Sequence, residues 1–536
     1  MALTYRRPGV YIEESLLMSP ADVGSSLSTA CFIGAAPKGA LDVDQISGNP
    51  EFVPVQVNSW SDYTNKYGGF EGGPNGEVLF LPYAVYSFFQ NGGRTAWIIR
   101  STDTYGAASS SDVTGAPGSG PSGSTPVAFT IQAEGSGAWG DDITFTLEIQ
   151  EAISSPVTDV VFTIRVYLTG QLQEQFQNLS MSGKVQGARQ ALATINDPFI
   201  GSRFIQLMNY DPLTPPAAVT IQTNLSGGID PDLPDSADLA SAAQDGVAKI
   251  DGALLVNIVG HLRKDTTSGD MIFVGGDILP STFPDRDDIF VLNDNVQPRG
   301  PMSVSSYQTV VQNKAAGLGT DSYIAFYTPW IAIADPARIG GTIYVPPAGS
   351  VAGIMARIDA TIGVWRAPAG IVAGVNNAAG VETKYTDTAQ GDLNGANINV
   401  IRNVVGAGVA VMGARTRKTY GADRYISARR TLIYIKESLR QVTQYAVFEN
   451  NDQRLWQSLI MTADRVLRPV WDSGGLRGSN PSEAYYIICD ATINTPAVIQ
   501  SGEVRMEVGV SLEYPAEFVV IRLTQFDRGL NTATEQ

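Results

Sequence analysis

From residue 504 to residue 514 the chain alternates. Val504, Met506, Val508, Val510, Leu512 and Tyr514 are apolar or aromatic, and Arg505, Glu507, Gly509, Ser511 and Glu513 stand between them. A period of two sustained over that length predicts a half-buried strand. Pro515 cannot donate to a ladder, so a break or an edge falls there. A second run, residues 518–523, is rich in β-branched positions and includes Phe518 and Val520. The opposite end, Arg7-Pro8-Gly9-Val10-Tyr11-Ile12-Glu13-Glu14, also reads as a strand. Chain ends usually fray, whereas strands need partners for their edge N–H and C=O groups. Two readings stand: hairpins folded onto their own domain, or strands exchanged with other copies of the chain.

Between the ends the pattern has an α/β rhythm. Residues 29–35 predict a buried strand, and Val53, Val55 and Val57 a short second one. Ser59 reads as the N-cap of a helix over 60–67, ended by Gly68-Gly69. A strongly apolar helix over 79–90 stops at Asn91-Gly92-Gly93, and 95–99 returns as a strand. Beyond Tyr105 the character changes. Residues 106–126 are nearly all Gly, Ala, Ser, Thr and Pro, and short alternating runs follow at 127–132, 143–149 and 160–168. They predict a β-rich module over 106–232, closed by the acidic, Pro-rich stretch at 230–235.

Helices at 236–248, 303–318 and 349–360 and strands at 253–259 and 323–327 resume the first pattern. Two amphipathic helices follow, over 431–450 with Leu432, Ile435, Leu439, Val442 and Ala446 in register, and over 452–471 with Leu455, Leu459, Ala463, Val466 and Leu467. The fold class expected is therefore an α/β core of several domains with an inserted β-rich outer module and extended N- and C-terminal strand arms. The divisions expected are 1–20, 21–105, 106–232, 233–400, 401–510 and 511–536.

Composition narrows the function. The 536 residues are 43% hydrophobic and 17% charged, which describes a folded chain. No apolar run is long enough to predict a membrane span, and the first residues lack a basic stretch followed by an apolar one, so no secretory signal is expected. Cys31 and Cys489 sit in apolar stretches and are expected as buried free thiols. The net charge of −17 argues against direct nucleic-acid binding. Residues 401–536 hold 16 Lys and Arg against 14 Asp and Glu, a balance of +2, which leaves −19 for residues 1–400. Either the C-terminal region faces a different partner or the charges cluster by chance.

No constellation for chemistry emerges. His261 is the single histidine, too few for a zinc site of the usual kind, and is expected to be a satisfied structural residue. GxSxG, HExxH and GxxxxGK[ST] are all absent. Gly406-Ala407-Gly408 begins like a dinucleotide fingerprint, but Val411 takes the third glycine position. Asp285, Asp287 and Asp288, and Asp42 and Asp44, supply hard oxygens, yet Arg286 interrupts the first group and neither has an EF-hand register. No cofactor, metal or catalytic residue is assigned.

The quoted residues converge on a family. Pro8-Gly9-Val10-Tyr11-Ile12-Glu13-Glu14 resembles the N-terminal signature of contractile tail sheath proteins of bacteriophages and related injection machines. Gly92-Gly93-Arg94, Gly137-Ala138-Trp139-Gly140-Asp141, the block VPPAGSVAGIMARIDATIGVWRAPAG at 345–370, Asn399-Val400-Ile401-Arg402, Arg429-Arg430-Thr431 and Tyr514-Pro515-Ala516-Glu517-Phe518 follow in the family's order. The block at 345–370 is specific.

The resemblance implies a structural subunit rather than an enzyme. It implies sixfold rings stacked helically around a tail tube, contraction on a baseplate trigger, and a tube driven through the target envelope. Implied partners are further copies of the chain, the tail tube protein, and baseplate and tail terminator proteins. Direct nucleic-acid contact and membrane insertion are not implied. The implied location is the virion tail, assembled in the host bacterial cytoplasm. On this view the inter-subunit strands are Val10, Tyr11 and Ile12, together with Val504, Met506, Val508, Val510, Leu512, Phe518 and Val520. Pro8, Gly9 and Pro515 are the arm hinges. Lys436, Arg440, Arg454 and Arg465, exposed by helical spacing, are the tube-facing candidates, and ordinary solvated charges are the competing reading. A β-rich surface adhesin or another non-enzymatic assembly protein remains the alternative.

Overall fold

In a computed structural model of the chain, residues 29–518 are described except for 40–41, 44–49, 73–75, 104–106, 116–125, 136, 154–158, 198–200, 230–231, 265–270, 284–285, 295–302 and 339. Val10, Tyr11, Ile12, Pro8, Gly9 and Val520 lie outside the described residues, as does Asp285.

An eight-stranded sheet organises the molecule. Its strands in chain order are β1 (Ala30–Gly34), β2 (Val55–Val57), β3 (Ala96–Arg100), β4 (Leu254–Ile258), β5 (Ile289–Asp294), β6 (Ile324–Thr328), β7 (Asn399–Val404) and β8 (Gly408–Val411). The spatial order is β8-β7-β6-β5-β4-β1-β3-β2. The six inner strands run parallel, and β2 and β8 close the edges antiparallel. Parallel strands need both faces covered, so they read as continuous apolar runs. β1 shows why: Ala30 and Phe32 enter one core, Cys31 and Ile33 the opposite one.

Among the described residues the helices of eight or more residues are α1 (Trp60–Tyr67), α2 (Leu81–Gln90), α3 (Ser236–Ala248), α4 (Val304–Gly317), α5 (Ala348–Thr361), α6 (Asp387–Gly395), α7 (Ile426–Val442) and α8 (Gln453–Asp472). Side chains of α2 and α5 fill the core on one face, and those of α3 fill the core on the other. The caps are local and legible. Ser59 accepts from the Asp62 N–H, Asp235 forms a capping box with Asp238, and Ser303 accepts from the Ser306 N–H.

The small residues of α5 have a steric purpose. A Cβ on Gly349 would lie 2.4 Å from the Ala84 carbonyl oxygen, and one on Gly353 2.4 Å from that of Phe88. Only glycine lets α5 settle onto the α2 backbone. At the end of α2, Gly92 has φ +107° and its Cβ position is filled by Arg357. The Arg357 guanidinium donates to the carbonyls of Asn91 and Gly374. Two sequence elements quoted separately above are therefore one packing unit.

Residues 107–229 hold two sheets around a separate core. One has five strands in the order Arg189–Gln190, Gln171–Ser180, Asp159–Leu168, Ile143–Ile153, Val219–Asn224. The other has three, in the order Ile205–Met208, Val127–Ala133, Ser110–Thr114. Phe129, Ile131, Phe145, Leu147, Phe162 and Ile164 fill the space between them. Asp141, in the Gly137-Ala138-Trp139-Gly140-Asp141 turn, accepts from the Ser109 hydroxyl at 2.7 Å and the Gly228 N–H at 3.0 Å. It thus ties the segment entering this unit to the segment leaving it.

Candidate assembly surfaces

The C-terminal helices separate buried from exposed charge differently from what spacing suggests. α7 begins earlier and ends earlier than the expected 431–450, running Ile426–Val442, and most of it is buried all round. One side meets α8 through Ile435, Leu439, Ala463, Val466 and Leu467. The other meets the sheet domain. Lys436 is buried, 3.4 Å from Asp287 and within hydrogen-bond reach of the Tyr323 hydroxyl. Arg440 bonds both Glu437 and Asp287. Neither cation is an exposed tube-facing candidate, which corrects the helical-spacing reading. A single helix reports its apolar stripe but not a second packed face.

Two fully buried pairs join the same helix to its surroundings. Arg430 donates to both carboxylate oxygens of Asp359 in α5, at 3.0 and 2.5 Å. Arg429 and Lys418 share Asp423. Burial raises the Asp423 carboxyl, but donation from Lys418 and the Arg429 charge outweigh it and leave the carboxyl below its usual range.

α8 runs over Gln453–Asp472, within a residue of expectation, because its periodicity is strong and Asp452 caps it. Leu455, Leu459, Ala463, Val466, Leu467 and Val470 form its buried face. Arg454, Gln457, Met461, Arg465 and Arg468 are exposed and recur every three or four residues, so they form one stripe. Among the described residues, the three arginines of this stripe have no acidic partner. Arg468 escaped the sequence reading, although its position three residues after Arg465 is the signal that finds it.

The terminal alternation resolves within the chain. β9 (Tyr485–Ile488) and β10 (Glu507–Val510) pair antiparallel, with Tyr485 opposite Val510 and Ile487 opposite Val508. Met506, Val508 and Val510 pack on α7 and α8. Val504 sits with Leu455, Leu459 and Cys489, and Leu512 is buried and bridged to Leu476. The apolar face of residues 504–512 is thus spent on the chain's own helices. This corrects its reading as part of a free arm, because the alternation records a buried face and not whose face it is. The sheet of β9 and β10 has two strands, so among the described residues each keeps an unpaired edge. From Glu513 to Phe518 the chain is outside any ladder, with Pro515 in no helix or strand and Phe518 exposed.

Other expectations found their places. Gly406 and Gly408, with φ of 80° and 71°, form the turn of the β7–β8 hairpin, which accounts for their spacing without a nucleotide. Asp288 is bound to Arg286, and Asp287 to α7. Cys31 and Cys489 are buried free thiols. His261 is fully buried, but not satisfied as expected, since neither ring nitrogen has a hydrogen-bond partner among the described residues. Burial pushes its pKa down to about 4. Asp294, at the end of β5, accepts from the Ala348 N–H at 2.8 Å, and its burial pushes the carboxyl up to about 7.

Comparison with known proteins gives these surfaces a context. Residues 301–417 match the family described as phage tail sheath protein central domain, and residues 422–526 the phage tail sheath C-terminal domain. The tail sheath protein of Vibrio phage KVP40 is 27% identical over 185 residues, 33% of this chain and 26% of that protein. That of Enterobacteria phage T4 is 28% identical over 163 residues, 30% and 24% respectively. The chain thus matches about a quarter of the length of these curated relatives. A solved sheath complex of an extracellular contractile injection system in its contracted state shares the fold, with a TM-score of 0.55 at 20% identity, covering 98% of this chain and 99% of that one.

Proposed function

Residues 301–417 and 422–526 carry the central and C-terminal domains of phage tail sheath proteins, and from that premise we propose that the chain is a structural subunit of a contractile tail sheath. The relatives are structural sheath proteins, not enzymes. The match of two consecutive domains in family order carries the reading. In it, subunits stack as sixfold rings in a helix around a tail tube, associate with baseplate and terminator proteins, and contract on a baseplate trigger. The location is the virion tail, assembled in the bacterial cytoplasm. A repeated heterologous contact between identical subunits produces such an open helical tube.

Two surfaces serve this function. The exposed stripe of α8, with Arg454 and Arg465 from the original candidates and Arg468 added, faces the tube. It is cationic on a chain of net charge −17, which supports a partner of opposite sign. The open edges of β9 and β10 receive strands from neighbouring subunits by strand addition. Candidate donors are Val10, Tyr11 and Ile12, hinged at Pro8 and Gly9, and the segment from Phe518 through Val520, hinged at Pro515. The unit at 107–229 faces outward. Work comes from new contact between subunits in the contracted lattice, at roughly 25 cal/mol per Å² of apolar surface before desolvation costs.

Negative-stain microscopy of the purified chain tests the reading. A sheath subunit polymerises into tubes, whereas an adhesin stays as discrete particles. Deleting residues 1–14 is expected to leave a folded monomer that forms no tubes, and normal tubes from that truncation defeat the strand-donor assignment.

A further inference from the structure

The last described residues do not simply trail away from the C-terminal domain. Between Leu512 and Phe518 no ladder holds the chain, yet Glu517 is tied down by three side chains. Arg415 Nη2 donates to Glu517 Oε2 at 2.5 Å, Asn394 Nδ2 to Oε1 at 2.8 Å, and the Tyr425 hydroxyl reaches Oε2 at 3.4 Å. The Tyr514 ring lies 6.1 Å from that of Tyr425, on the path between Leu512 and Glu517.

The partners of Glu517 come from two domains. Asn394 and Arg415 lie within the central-domain match, Tyr425 and Glu517 within the C-terminal one. The Arg415 guanidinium is itself buried, and Glu517 is the carboxylate it pairs with. Arg415 Nη1 also donates to the Asn394 carbonyl at 2.6 Å, which orients the fork. Burial raises the Glu517 carboxyl, but donation from Arg415 and Asn394 outweighs it, so the carboxylate stays ionised at neutral pH. One residue later, Phe518 is 72% exposed.

We propose that the Arg415–Glu517 contact is a pin that sets where the C-terminal tail leaves the subunit and carries its load into the central domain. Without the pin, a tail held by a neighbour would pull only on the β10 end of the C-terminal domain. With it, tension along the tail reaches β7–β8 through Arg415 and α6 through Asn394. A charge-assisted contact with a buried guanidinium is suited to this, being directional and poorly screened by salt. The role in assembly rests on the sheath reading, whereas the pin itself is a property of the monomer.

Two measurements on the full chain test the pin separately from the sheath reading. Hydrogen exchange on the monomer compares the wild type with Glu517→Gln, which keeps the shape and removes the charge, and with Asn394→Ala, which leaves the ion pair. Glu517→Gln is expected to speed exchange of residues 512–517 about tenfold and leave α7 unchanged, with Asn394→Ala intermediate. Sedimentation of tubes is expected to show a loss of about tenfold in assembled fraction for Glu517→Gln, at a monomer melting temperature within a few degrees of wild type. Unchanged exchange overturns the pin. Altered exchange with normal tubes overturns its role in assembly. A wild-type chain that forms no tubes overturns the sheath reading and that role together, while the exchange result still judges the pin.

Discussion

Asp359, near the end of α5, and Arg430, in the first turns of α7, face each other in a two-pronged ion pair from which water is excluded. They are 71 residues apart in sequence and join the central domain to the C-terminal one. Removing one partner strands the other charge in a dry site. Arg430→Met or Asp359→Asn alone is expected to cost about 3–5 kcal/mol of unfolding free energy. The double change to Met and Leu should cost much less, because it leaves no uncompensated charge. Urea denaturation of the monomer checks the order.

Glycine in α5 is expected to be irreplaceable where it meets α2. Gly353→Ala places a methyl group on the Phe88 carbonyl and should destabilise by about 1–3 kcal/mol through overpacking. Gly391, inside α6, has open space at its Cβ position. Gly391→Ala should stabilise by up to about 1 kcal/mol through helix propensity. Melting curves that ranked the two variants the other way would contradict the close approach of α5 to α2.

Stability should respond to pH through two opposed buried groups. His261 has its pKa lowered from 6.5 to about 4, so the unfolded chain binds the extra proton between those values and stability rises with pH there. Asp294 has its pKa raised from 3.8 to about 7, so the native state holds the extra proton and stability falls as pH rises through that window. In the wild type the two slopes partly cancel between about pH 4 and 6.5. His261→Leu should expose the falling slope and Asp294→Asn the rising one. Denaturation midpoints from pH 4 to 8 read both.

Charge reversal should separate the exposed stripe from the two cations paired with Asp287. Arg454→Glu, Arg465→Glu and Arg468→Glu should each leave the melting temperature within about 2 °C of wild type, as exposed substitutions do, and weaken association with tail tubes most at low salt. Lys436→Glu and Arg440→Glu should instead destabilise the monomer, because they set like charges beside Asp287. Co-sedimentation with tubes at two salt concentrations, alongside melting curves, distinguishes the two groups.

Much of the architecture is legible in the residues, and the reasons are local. Asp235 with Asp238, and Ser59 and Ser303, mark helix starts because capping bonds span only two or three residues. The apolar run at 30–34 announces an inner parallel strand because both faces of such a strand are covered. The start and end of α8 follow from an amphipathic stripe with a capping Asp452.

What tertiary structure alone decided is where each pattern is spent. The alternation of residues 504–512 specifies a face to be buried, and only the packed helices α7 and α8 show that the subunit itself buries it. Lys436 and Arg440 lie off the apolar stripe of α7, yet a second domain closes over them and supplies Asp287. Gly92 with Arg357, Asp359 with Arg430 and Arg415 with Glu517 belong to separate sequence elements and meet only when the chain has folded. Periodicity, capping and turn chemistry act over a few residues, so the sequence states them outright. Pairing between distant charges depends on how domains dock, which no local pattern encodes.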